Sequence, residues 1–122
     1  MDYRKLSDFE INLRVAEIVV DYDCISRLPY TDMAVHWGDG ANWHVFNPCN
    51  NPADAWPIID ENNITIINDN PSLRSAVSEV AAYFNGSNHI WSAHKNGLRA
   101  AMIVFLKMQE SQNAKIPSER NS

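Results

Sequence analysis

LRAAMIVFLKM, residues 98 to 108, contains only two polar side chains, Arg99 and Lys107. Leu98, Ala101, Met102, Phe105 and Leu106 recur at helical spacing, and Ile103, Val104 and Met108 fill most of the remaining surface. A helix resting on one face of a sheet needs an apolar stripe, not near-complete coverage. The stretch therefore predicts a helix over 97–110 that is covered on more than one side. The cover is either the N-terminal helix of the same chain or a second copy related by a two-fold axis, which makes a homodimer through this helix the alternative.

The elements that could supply the cover lie upstream. His89-Ile90-Trp91-Ser92-Ala93 reads as a strand, and Ile64-Thr65-Ile66-Ile67, closed by Asn68-Asp69-Asn70-Pro71, as another. Between them, Leu73, Val77, Val80, Ala81 and Phe84 stand at helical spacing and predict a short helix over 72–84, although Val80 to Phe84 also suit a strand. Met33, Val35 and Trp37 alternate with Ala34 and His36, Gly38-Asp39-Gly40 breaks the run, and Trp43-His44-Val45-Phe46 completes a β-hairpin. Ser7-Asp8-Phe9-Glu10 forms a capping box, Leu6 can staple onto Ile11, and an apolar stripe through Ile11, Val15, Ile18 and Val19 carries a helix over 8–20. The polar residues 111–122 read as a disordered tail. The sum is one α+β domain over 1–110, three-layer-like, with helices at 8–20, 52–62 and 97–110 on a mainly antiparallel sheet of about four strands.

The middle helix begins in NPCNNPADAWPII, residues 47 to 59. Asn51 suits the N-cap, Pro52 the first helical position, and Asp54 the first turn, where its charge meets the positive helix end. Ala55, Ile58 and Ile59 then face the sheet, while Pro57 withdraws one helical hydrogen bond at up to ~3 kcal/mol. A helix N-terminus also lowers the pKa of a nearby thiol, which makes Cys49 with Asp54 an anion or nucleophile site in principle. No histidine is adjacent in sequence to act as its base, so Cys49 is expected to be structural.

Among 122 residues, 45% are hydrophobic and 20% charged, the balance of an ordinary globular domain. The formal net charge is −5 and the basic residues are scattered, so the electrostatic footprint of a nucleic-acid binder is missing. No run reaches the ~18 apolar residues of a membrane span, and two cysteines outside any C-x-x-C pattern fit a reducing cytoplasm. His36, His44 and Cys49 match no common zinc spacing, and His89 and His94 read as polar residues flanking a strand. The motifs of serine hydrolases, zincins, phosphate loops and dinucleotide folds are all missing from the sequence, so no catalytic residue, metal or cofactor is expected. The binding candidates are Trp43 at the hairpin tip, Asn51 and Asp54 at a helix N-terminus, and Trp56. Core packing is expected to absorb most of the four tryptophans.

Three blocks carry a resemblance: MDYRKLSDFEINLRVAE at 1–17, FNPCNNPADAWPII at 46–59 and LRAAMIVFLKMQES at 98–111. Together they resemble the NinX-like proteins of lambdoid bacteriophages and prophages, a small family of unknown function. The order of elements is also similar to phage α-β-α sandwich domains. The resemblance implies an accessory protein made in the cytoplasm of a bacterial host, and it brings no catalytic residues. The expected function is non-enzymatic binding of a host or phage macromolecule, such as host modulation or counter-defence. Sequestering a small nucleotide signal is the alternative, and a hydrolase or metal enzyme the reading with least support.

Overall fold

The computed structural model describes residues 2–20, 24–25, 34–38, 42–78 and 90–120, with side chains as far as residue 112. A short 3-10 turn, Tyr3–Lys5, leads into helix α1, Asp8–Val19. Strands β1, Val35–Gly38, and β2, Trp43–Phe46, come next, followed by helix α2, Pro52–Glu61. Strands β3, Thr65–Ile67, β4, Arg74–Val77, and β5, Trp91–His94, precede helix α3, Gly97–Arg120. The α+β class is as the sequence predicts, but the described strands form two antiparallel sheets, β1-β2 and β3-β4-β5, rather than a single sheet of about four.

The capping box at α1 is complete. Glu10 N donates to Ser7 Oγ at 3.1 Å, and Ser7 N donates to Glu10 Oε1 at 3.2 Å. Two amides of the chain entering the helix are thereby satisfied, so Ser7→Ala is expected to cost about 1 kcal/mol in chemical denaturation. An unchanged midpoint at unchanged slope would mean that the cap contributes nothing.

In the hairpin, Val35 pairs with Phe46 and Trp37 with His44. Paired residues share a sheet face, and Val35 and Phe46, 0% and 7% exposed, enter the core against α1. Gly38 is required where the strands pair last, because a Cβ there would lie 1.8 Å from the Asn42 carbonyl oxygen.

Asn51 caps α2 through its side chain, Pro52 opens the helix, and Pro57 sits inside it. Asn63 then takes a left-handed φ of 54°, Ile64 N bonds to Ile59 O at 3.0 Å, and Asn63 N bonds to Asp60 O at 3.4 Å. This is a Schellman ending with asparagine in the usual glycine position, and it turns the chain sharply toward β3.

The predicted helix over 72–84 is corrected at its start: Arg74–Val77 is β4, the middle strand of its sheet, paired with β3 and β5. Leu73, the first residue of the supposed helical stripe, is 48% exposed, while Ala76 and Val77 are fully buried. Ladder bonds on both sides outweigh a short apolar periodicity. Residues 79–84 lie outside the described region.

Helix α3 occupies the centre. Ala100 through Leu106 are at most 3% exposed, and the helix touches all three strands of the larger sheet as well as α1 and α2. Ala55, Ile58 and Ile59 of α2, expected against a sheet, belong instead to the core where α2 meets α3. The same requirement accounts for the divided sheet: strands cover α3 on part of its surface, helices cover the rest, and the hairpin packs on α1. Ile103 is 1% exposed, so its cover comes from within the chain. The helical backbone runs on through 111–120, where glutamine, alanine and lysine are good helix formers.

Candidate functional site

Three helix N-termini are tied together by side chains that sequence reasoning did not single out. Arg99, in the first turn of α3, has its side chain 8% exposed and donates from Nη1 to Asp8 Oδ1 at 2.6 Å. Its Nη2 donates to the Leu6 carbonyl at 2.7 Å and more weakly to Arg4 O and Tyr3 O. Asp8 opens α1, and its second carboxylate oxygen accepts from Asn50 Nδ2 at 3.1 Å, just before α2. Asn96 accepts from Leu98 N at 3.0 Å, capping α3, and donates to the Cys49 carbonyl at 2.7 Å and to Asn50 Oδ1 at 3.1 Å. Asn12, buried within α1, bonds to Asn47 Oδ1 at 2.8 Å and receives Cys49 N at 3.0 Å.

The electrostatics fit a closed junction. Burial raises the pKa of Asp8, but hydrogen bonds from Asn50 and Arg99 and the Arg99 charge outweigh it and hold the carboxyl below its ordinary value. His94 accepts from Asn96 N at its Nδ1, 2.9 Å away, and burial together with the Arg99 charge lowers its pKa, so it stays neutral at pH 7. The signal available in the sequence was Arg99 itself: an arginine inside an otherwise buried helix must find a carboxylate or carbonyls.

Cys49 is fully buried, and burial, with a smaller contribution from Asp8, pushes its thiol up to about 12. Here burial outweighs the helix-end effect that would have activated the thiol. Iodoacetamide at pH 8 is therefore expected to modify the half-buried Cys24 in the native protein and to reach Cys49 only after denaturation, as read by peptide mass spectrometry. Rapid native labelling of Cys49 would show an open junction. Among the described residues no group of three His, Cys, Asp or Glu side chains is placed to hold a metal, and no helix is long and apolar enough to cross a membrane.

The sequence-predicted binding residues fall elsewhere and are only partly brought together. Asn51 is spent on its own helix, with Oδ1 taking Ala53 N at 3.0 Å while its carbonyl takes Asp54 N and Ala55 N. Pro52 has no N–H, so the first turn of α2 has no free amide for a phosphate. Asp54 Oδ2 accepts Asn47 N at 2.9 Å, and Asp54 also lines a cleft of about 350 Å³ together with Trp37, Phe46, Pro57 and Glu61. Trp43 and Trp56 stand outside that cleft at 44% and 62% exposure. The core does not absorb the tryptophans: Trp37 and Trp91 are exposed as well, at 37% and 52%.

A family model described as Bacteriophage P22, NinX matches residues 2–109. The chain belongs to the NinX family. No curated protein and no solved structure matches it. The NinX resemblance rests on blocks at 1–17, 46–59 and 98–111, and these blocks hold Asp8 and Asn12, then Asn47, Cys49 and Asn50, then Arg99. Those residues form most of the junction, so the sequence blocks of the NinX resemblance are the segments that this fold ties together.

Proposed function

We propose that this NinX-family phage protein is a non-enzymatic factor that binds another protein, of the phage or of its host, in the bacterial cytoplasm. The observation that carries the reading is the exposure of all four tryptophans in so small a domain, against a polar junction whose groups bond mainly to one another. Exposed tryptophans are costly in water and dominate the energetics of protein interfaces, where they act as anchors. Val45 on β2 and Ile18 and Val19 on α1, all 44% exposed or more, add apolar surface around Trp37 and Trp43.

The test is chemical cross-linking in infected cells with the wild-type chain and with a folded Trp43→Ala/Trp56→Ala variant. A defined partner captured by the first and lost from the second supports the reading. Equal capture by both, or no partner at all, overturns it. Sequestration of a nucleotide is less well supported, because the α2 amides that would hold its phosphate are already bonded. A ligand at a hundred times its Kd adds about 2.7 kcal/mol of stability, so a thermal-shift screen of cyclic and ADP-ribose-type nucleotides would reveal one.

A further inference from the structure

Building on the protein-binding reading, we infer that the cleft between the end of α1, the hairpin and α2 receives a basic amphipathic segment of the partner, with an apolar side chain in the cleft and a lysine or arginine against Asp54 and Glu61. The cleft walls are apolar, formed by Val19, Trp37, Phe46 and Pro57. Among the described residues two carboxylates line it and no cation does. Among the described residues neither Asp54 nor Glu61 is in an ion pair, and Glu61 makes no hydrogen bond through its side chain.

The asymmetry extends beyond the cleft. Between Arg27 and Arg74 the sequence has no lysine or arginine but carries Asp32, Asp39, Asp54, Asp60, Glu61 and Asp69. The same stretch of sequence carries Trp37, Trp43, Val45 and Trp56, all of them exposed. A field of one sign attracts its opposite during encounter, and a partner that is both apolar and basic is complementary to each property. Pro57 adds an acceptor at the same wall. By withholding a helical N–H it leaves the carbonyl of Ala53, itself a lining residue, without its i+4 donor. Cationic groups also pack favourably on tryptophan, and Trp37 lines the cleft.

The probes are a short synthetic Leu/Lys amphipathic peptide and its Leu/Glu counterpart, titrated into the 15N-labelled full chain. The Leu/Lys peptide is expected to shift the Trp37 indole and the amides of Val19 and Ala53 to Glu61, while the Leu/Glu peptide leaves them in place. Glu61→Lys should weaken binding at least tenfold. Asp69→Lys, which changes net charge equally on a turn outside the cleft, should weaken it far less, by about twofold at most. Equal binding of both peptides, equal loss in both variants, or shifts confined to another surface would overturn the inference. Its failure is separable from that of the broader reading. A partner captured through Trp43 and Trp56 but retained by Glu61→Lys refutes the basic segment alone, whereas the absence of any captured partner refutes protein binding.

Discussion

Ile103→Glu is expected to unfold the protein. Ile103 is 1% exposed and lies in the stretch of α3 that is enclosed by the larger sheet, α1 and α2. Burying a carboxylate there without a partner costs several kcal/mol, which for a domain of this size approaches the whole stability of ~5–15 kcal/mol. Ile103→Ala, which only leaves a cavity, should cost about 2–5 kcal/mol and keep a cooperative transition. Circular dichroism and urea denaturation read both effects. A folded, soluble Ile103→Glu chain that had merely changed its oligomeric state would mean that this face of α3 is an intermolecular surface after all.

Arg99→Met is expected to cost about 3 kcal/mol, at the low end for one half of a buried ion pair, because Asp8 is 42% exposed and water can replace part of what it loses. The larger loss is at the carbonyls of Leu6, Arg4 and Tyr3, which all receive Nη2. Arg99→Lys should recover little, since an ammonium cannot reach the carboxylate and these carbonyls at once with the geometry of a planar fork. The penalty should also depend on pH. Asp8 titrates lower in the folded chain than its ordinary 3.8, so the stability it contributes is present above that pH and is lost as pH falls through the folded value. Wild type and Arg99→Met should therefore draw closer in acid, while the part of the gap that comes from the carbonyls remains. A gap that stays constant into strong acid would separate the role of Arg99 from the Asp8 charge.

Much of the fold was legible because local rules agreed with the final packing. Ser7 with Glu10, Asn51 with Pro52, and the alternation around Trp37 each stated a helix start or a strand in residues adjacent in sequence. The near-complete apolar coverage of α3 correctly demanded more than one covering layer. Where reasoning failed, the deciding partner was distant. Nothing local to Arg74–Val77 announces two flanking strands, and a few apolar residues at helical spacing outvoted the true pairing. Most of the tryptophans were assigned to the core by residue type, yet smaller side chains such as Ala100, Ala101 and Val104 fill it.

The junction was invisible for the same reason. Asn12, Asn47, Asn50 and Asn96 look like ordinary turn and surface residues until three chain segments are superposed, and only then does each amide acquire its partner. Of the named binding candidates, Asp54 alone was found to line the cleft, because a first-turn acid that also bonds the Asn47 amide is held at its wall.

The Arg99–Asp8 bond spans 91 positions of the chain, and the helix that fills the centre of the domain follows the other described elements in sequence. As the polypeptide leaves the ribosome, α1, the hairpin and α2 emerge with the apolar faces that α3 will cover still open. Closing so long a loop is entropically slow, and few contacts reward it until α3 arrives. The nascent protein must therefore wait, loosely collapsed and exposed to chaperones and proteases, and then condense nearly all at once when residues 97–106 become free.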